Sequence, residues 1–479
     1  MDKTQDPEEG LARGRKLVCN EVVQSIFPGP VPGDHLSIII DAGILSQRAP
    51  AKFQKIQESN KLHFGCARPP EREPPLPVAL LHPVFGTFAD DCKNAELNAG
   101  DHEFAMLLRR DMCNFYIDEG VRRHRLCTHL NKFGLEIAPG DIGSLKESTD
   151  GHIIEGTHPL CIQVIKNELT TGSAEPSFQA LLYYQSFIEQ FQLDKNSSTC
   201  HPCFIIYILG PYLGFAGATL TDRANLQVFS LAPLNFHSRD DEKFESLARH
   251  WVALKRAVET LSGYYRELDG QTLQHVTDAG PYFPYPASFK NIRDNTVTSL
   301  TYKGNLRGRD LIFEGSINEG RKPVCIKFVR RYGDDVHRWC AGKGIAPDLL
   351  GFEKLPGGWY LVVMEPLEKP WELFWDLNLY VGFPPSGELE KQLRAALVEM
   401  HQNNMVHGDI RDMNIMVDLA GSPQFRILDF DWAGKVEEVK YPKFMNTRQV
   451  KRPQGVEDGK VILPEHDIAM VDNMFDQLA

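Results

Sequence analysis

The apolar positions change their spacing several times along the chain, and each change predicts a different element. Phe104, Leu107, Leu108, Met112 and Phe115 recur at helical intervals, which predicts one buried helix face. Further on, Leu247, Trp251, Leu254, Val258, Leu261 and Tyr265 form a longer stripe, an amphipathic helix that runs out at Asp269-Gly270. Between the two, from about Asp150 to Leu220, apolar runs of strand length dominate. His201 to Thr221 carries no Asp, Glu, Lys or Arg and is long enough to span a membrane. Its glycines, Gly210, Gly214 and Gly217, and its Ile, Phe and Tyr content instead predict two buried strands meeting at Gly210-Pro211.

Breakers set the boundaries. Pro69, Pro70, Pro74, Pro75 and Pro77 mark an extended linker after a weakly patterned start, in which Leu36 to Ile40 reads as a strand. Gly280 to Pro286 reads as a second linker. The expected organisation is an N-terminal region over 1–85, a central α/β domain over 86–272 and a C-terminal α+β domain over 290–479. Hydrophobic residues make up 42% of the 479, which excludes a disordered chain. A net charge of -12 argues against a protein built to coat nucleic acid, though it leaves room for a local basic face. Ten cysteines scattered singly suit a reducing compartment, and Met1 to Gly10 is polar with no apolar signal segment. Both point to an intracellular protein of the cytoplasm or nucleus, without a membrane span.

Candidate chemistry is densest toward the C-terminus. The string His407-Gly408-Asp409-Ile410-Arg411-Asp412-Met413-Asn414 is followed, fifteen positions after Asn414, by Asp429-Phe430-Asp431. An acid, a metal-binding residue five positions on and a second acid soon after make a set suited to phosphoryl transfer. Asp409 would orient or deprotonate the attacking hydroxyl. Arg411 would neutralise charge on the transferred group, and Asn414 with Asp429 would hold Mg²⁺ against the phosphates of ATP. The flanks agree: Leu389, Leu393, Ala396, Leu397 and Met400 predict a helix leading into the loop. Ile415 to Val417 and Arg426 to Leu428 predict two short strands around Ala420-Gly421. Upstream, Lys327 lies midway along the apolar run Pro323 to Val329, where burial demands an anionic partner such as the α- and β-phosphates. The plainer alternative is an edge-strand lysine that guards against aggregation. Trp359 to Leu367 reads as a strand and a breaker, a hinge where Glu365 and Leu367 offer backbone groups to an adenine.

On these strings, residues 296 to 479 resemble the protein-kinase-like superfamily. The wider layout is similar to fungal multidomain kinase-like proteins, some of them grouped with Crinkler-type effectors. Ile326 to Gly333, Leu355 to Trp359, Val406 to Asp412, Tyr441-Pro442 and Glu465-His466-Asp467 carry the likeness. It implies a two-lobed α+β domain, ATP and Mg²⁺ as cofactors, and Asp467 as the brace of the catalytic loop. Departures bear on the substrate. Gly408 stands where protein kinases have arginine, and Asp431 where they have glycine. No G-x-G-x-x-G is present, only Gly304, Gly308 and Gly315 around the first hairpin. Either Asp335 or His337 is the expected partner of Lys327. The expected activity is transfer to Ser/Thr hydroxyls of a protein substrate. Two alternatives are a small-molecule kinase of the aminoglycoside or choline phosphotransferase type and a Mg²⁺-dependent nuclease with a regulatory kinase-like part.

The nuclease alternative comes from the centre. Ile162 to Glu168 reads as a strand, with Gln179, Tyr183 and Tyr184 on a following helix and Asp150-Gly151 one strand earlier. This resembles the PD-(D/E)xK nuclease-like core, an α/β restriction-endonuclease-like fold, and implies Asp150, Lys166 and Gln179 as site residues. The second acid is replaced by Val164, which removes half of a hard-oxygen metal cage. Glu168, on the same strand face as Val164 and Lys166, is the substitute ligand. The expectation is a degenerate site kept for binding or docking, with nucleic acid as its candidate partner. Cys200 and Cys203 have C-x-x-C spacing without a second pair, and read as core thiols.

Overall fold

The computed structural model describes residues 50–58, 64–70, 75–145, 148–168, 175–195, 198–270, 282–306, 311–377, 387–418 and 424–476. Leu36 to Ile40, the Ala420-Gly421 turn, Gly280 and Gly308 lie outside them. Two sheets dominate the described chain. The first has six strands in sequence order: β1 (Ala138–Asp141), β2 (Ser148–Glu155), β3 (His158–Lys166), β4 (Cys203–Leu209), β5 (Tyr212–Leu220) and β6 (Ala224–Pro233). All neighbours are antiparallel except β3 and β4, which pair in parallel from Cys161↔Phe204 to Lys166↔Leu209. A parallel pair needs a crossover, and the helix Pro176–Gln190 lies in that connection.

Both faces of this sheet are covered, which explains why β3 and β4 read as unbroken apolar runs rather than alternations. Ile162, Val164, Ile205 and Tyr207 meet Phe178, Leu181 and Tyr184 of the crossover helix. The opposite face, with Cys161, Ile165 and Phe204, meets α1 (Pro83–Asn94), α2 (Ala99–Met112), α3 (Glu119–Phe133) and α5 (Asp241–Gly270); the crossover helix is α4. The α5 stripe is buried as its spacing predicts, from Leu247 through Tyr265. The α2 stripe is buried at Phe104, Leu108 and Met112, but Phe115 is 92% exposed, because the helix ends at Met112 and the chain turns away. The uncharged run is two strands, β4 and β5, joined at Gly210-Pro211, where Gly210 takes a positive φ of 54°. Cys200 and Cys203 are buried there, and burial pushes their thiols upward. Among the described residues no helix is long and apolar enough to cross a membrane.

The second sheet is antiparallel, in the order β10-β11-β9-β8-β7, with β7 (Thr301–Asn305), β8 (Ile312–Ile317), β9 (Lys322–Val329), β10 (Leu349–Leu355) and β11 (Trp359–Met364). Helix α6 (Asp334–Gly342) follows β9. After β11 the chain leaves the sheet and enters a separately packed, mostly helical part. Leu389, Leu393, Leu397 and Met400 of α7 (Gly387–Gln402) pack with Val471 and Met474 of α8 (Pro464–Asp476). A small sheet of β12 (Trp371–Leu373), β13 (Ile415–Asp418) and β14 (Gln424–Ile427) lies alongside.

The two large sheets share one apolar core, which runs from Val78, Phe85 and Trp251 to Leu355, Trp359 and Leu361. At the junction the N–H of Gly357 donates to Asp90 Oδ2 at 2.7 Å, and the N–H of Tyr285 to the carbonyl of Leu80 at 2.7 Å. Gly86 allows the approach: a Cβ there would lie 2.6 Å from the carbonyl oxygen of Pro356.

Candidate active site

The loop after α7 is shaped by its own residues and by α8. Asp467 is fully buried and takes the N–H of His407 at 2.9 Å and that of Gly408 at 2.7 Å, one on each carboxylate oxygen. This is the place the sequence expectation gave it. His407 accepts the N–H of Asp409 on Nδ1 and contacts the carbonyl of Leu428 through Nε2 at 3.0 Å, so its proton belongs on Nε2. Gly408 has φ +85°, and a Cβ there would meet Ile462 Cδ1 at 2.8 Å. The glycine is therefore required locally, by a left-handed backbone and a packed isoleucine.

Asp409 is thereby turned into a group of polar side chains. Asn414 Nδ2 donates to its carboxylate at 2.9 Å and to its carbonyl at 2.9 Å. Arg411 Nε donates to Oδ2 at 3.1 Å, and Arg452 Nη1 to Oδ1 at 2.7 Å. Asp409, Arg411 and Asn414 are thus brought together as the motif spacing anticipates. Arg452 is the residue that sequence reasoning missed. It lies 43 positions from Asp409 in a stretch without periodicity, and nothing about its neighbours marks it.

Lys327 arrives from the middle of β9, and only 10% of its side chain is exposed. Its ammonium donates to Asp429 Oδ1 at 2.7 Å and to Asp431 Oδ1 at 2.6 Å. This corrects the expectation that Asp335 or His337 is its partner. Asp335 is exposed, and His337 is engaged by the Tyr332 hydroxyl at 2.7 Å and the Pro347 carbonyl at 2.8 Å. Burial disfavours the charged form of all three groups, but the ion pairing outweighs it for two. Lys327 is held above its ordinary value and Asp429 below it. Asp431 bears the excess: burial and the neighbouring Asp429 raise its carboxyl to about 7 against the pull of Lys327. Asp429 also adopts φ +64°, an uncommon conformation outside glycine that short polar side chains tolerate.

This donor set fits Mg²⁺. Two half-buried carboxyl groups converge on a single ammonium, and the ligand atoms are hard oxygens. Asn414 commits its amide nitrogen to Asp409, so its Oδ1 is the atom left for a cation. Among the described residues no three His, Cys, Asp or Glu side chains form a cage of their own. Asn414 and Asp429 would hold the ion jointly with phosphate oxygens, the usual arrangement for Mg²⁺ on nucleotides. At the strand end beyond β11, the Glu365 N–H bonds the carbonyl of Asp348 at 2.9 Å. The Glu365 carbonyl and Leu367 N–H, the groups proposed for an adenine, make no backbone hydrogen bond among the described residues.

The central candidates are arranged differently. Asp150 on β2 and Lys166 on β3 lie on adjacent strands, but their contacts go elsewhere. Asp150 pairs with Arg123 at 3.1 Å and accepts the N–H of Ile165 at 3.0 Å. Lys166 lies 3.6 Å from Glu119. Gln179 is buried and donates to the Tyr183 hydroxyl at 2.7 Å, and Val164 is core. Glu168 lies just past β3, its Oε2 against Gly210.

No protein-family model matches this chain, and no curated protein matches it. Among solved structures, a kinase of the Cydia pomonella granulovirus is similar at 16% identity, over 37% of this chain and 67% of the viral chain, with a TM-score of 0.30. A TM-score of this size does not establish a shared fold.

Proposed function

We propose that this chain is an ATP-dependent phosphotransferase that acts on Ser/Thr hydroxyls of a protein substrate. One observation carries the reading. Two side-chain pairs with complementary roles lie side by side: Asp409 and Asn414 joined at 2.9 Å, and Lys327 and Asp429 joined at 2.7 Å, with the N–H of Leu428, next to Asp429, donating to the Asn414 carbonyl at 2.8 Å. With Mg·ATP bound, the metal and nucleotide supply a transferable phosphoryl group and charge neutralisation. Lys327 then donates to phosphate oxygens in place of its carboxylate partners. Asp429 and Asn414 would hold the cation through their oxygens, and Asp409 would orient the acceptor hydroxyl and take its proton. The central part serves as a docking unit rather than a nuclease. Arg123 and a backbone N–H already occupy both Asp150 oxygens, and Val164 provides no ligand.

Asp409→Asn preserves shape while removing the carboxylate. Nucleotide affinity should change little, and turnover should fall by about 10²-fold or more. Asp429→Asn should instead weaken Mg·ATP binding, because a charged oxygen ligand is lost. Calorimetric titration beside transfer of labelled phosphate to protein and to small alcohols separates the two variants and reads the acceptor class. Near-normal turnover in Asp409→Asn would sink the assignment of this loop.

A further inference from the structure

Asp409 is occupied in a way that bears on how the site is regulated. A carboxylate offers about four acceptor positions, and three contacts are in place: Arg411 and Asn414 on Oδ2, and Arg452 on Oδ1. The Arg452 and Asp409 side chains are 6% and 7% exposed, so the guanidinium excludes water and any acceptor from Oδ1. Arg452 itself is incompletely satisfied: its Nε is buried and finds no partner among the described residues. Its other neighbour is Trp432, whose ring centroid lies 5.0 Å below the guanidinium.

Arg452 sits on a loop closed at its base. Lys440 bridges to Val461, and the Tyr441 N–H donates to the Lys460 carbonyl at 2.9 Å. Tyr441, Met445, Val456 and Ile462 pack that base into the protein. From Asn446 to Gly455 the loop has no helix or strand. Beneath this tip lies a cavity of about 340 Å³, lined by Trp375, Arg411, Gln449, Lys451, Met470 and Met474. Arg411 belongs both to the cavity wall and to the Asp409 cluster, so the cavity adjoins the acid through this one guanidinium.

We propose that this cavity receives the phosphoryl acceptor and that Arg452 is a latch that keeps Asp409 closed until an acceptor displaces it. The proposal rests on the phosphotransfer reading. The acceptor hydroxyl replaces the guanidinium at Oδ1, and Arg452, released, turns to the phosphoryl oxygens that now need a cation. The latch limits waste. Without an acceptor, water cannot reach the base, so the nucleotide is bound but not hydrolysed.

Water is therefore the probe, with labelled Mg·ATP and the full chain. In hydrolysis the bond from the γ-phosphorus to the ADP oxygen breaks and a bond to the water oxygen forms. The water proton passes to Asp409. Arg452→Met keeps the aliphatic stem over Trp432 and removes the charge; Arg452→Ala removes both. Acceptor-free hydrolysis should rise at least roughly tenfold in both variants, part of the about 10²–10⁴-fold that a positioned base supplies. Nucleotide affinity should stay within about twofold of the parent, since neither Lys327 nor Asp429 is touched. The gain should vanish when Asp409→Asn is added. Unchanged or reduced hydrolysis with intact nucleotide binding overturns the latch and makes Arg452 a positioning residue. So does a gain that survives Asp409→Asn. Absence of nucleotide binding by the parent protein would count against the phosphotransfer reading instead.

Discussion

A buried histidine shows how a single residue couples this protein to pH. His82 caps α1, accepting the N–H of Val84 on Nδ1 at 3.3 Å, and burial lowers its pKa from 6.5 to about 4. The unfolded chain therefore binds a proton that the folded chain refuses between those two values. By linkage, stability from this group is complete above about pH 6.5 and is lost as the pH falls toward 4. His337, lowered by burial to about 4, acts in the same direction. His82→Asn keeps a capping acceptor without the titration. Its urea midpoint should drop less than the parent's between pH 7 and pH 5; an equal drop would remove His82 as a source. Gly408 teaches a related lesson. Its identity looks like a choice about regulation when read as a motif, but φ +85° and Ile462 leave no room for a side chain.

At the scale of elements, α8 acts as the anchor of the loop that holds Asp409. Asp467 leaves the helix side to cap two buried backbone N–H groups, those of His407 and Gly408. Asp467→Ala should destabilise the protein by roughly 1–3 kcal/mol for each N–H left bare in the interior. Turnover should fall with it, because His407 and Asp409 lose their fixed backbone. Nucleotide affinity should suffer less, since Lys327 belongs to β9 and Asp429 follows β14. Chemical denaturation and calorimetric titration on one preparation test both statements; weakened binding without lost stability would contradict them. The length of α2 could not be read in the same way. Periodicity extends to Phe115, but a helix stops where its last carbonyls find caps, and that happens at Met112 and Cys113.

At the scale of the molecule, the two large sheets are joined by a core that belongs to neither alone. Helix α1 lies against the turn Pro356–Gly358 with Gly86 and Asp90 at the contact. Gly86→Val would drive a side chain into the Pro356 carbonyl. The parent should unfold in one calorimetric transition, because its apolar cluster is continuous across the junction. Gly86→Val should split that transition in two while leaving the Lys327, Asp409 and Asp429 cluster able to bind Mg·ATP. A single unshifted transition in the variant would show that the junction contributes little.

Much of this protein was legible in the order of its residues, for a physical reason. Asp409, Arg411 and Asn414 sit within six residues, and Asp429 follows a strand that pairs back on the same loop, so local geometry alone brings them together. The α5 stripe and the β4–β5 pair follow from periodicity and from breakers, which act at short range as well. What the sequence did not determine are contacts between groups far apart in the chain. Lys327 called for an anion, yet its neighbours in sequence, Asp335 and His337, are not its partners; Asp429 and Asp431 reach it across 102 and 104 positions. Val164 removed one ligand of the central site in sequence, but only packing showed Arg123 holding Asp150. Arg452 carries no local mark at all. Its meeting with Asp409 was decided by how an irregular loop folds back onto α8, where burial and charge select partners regardless of their separation in the chain.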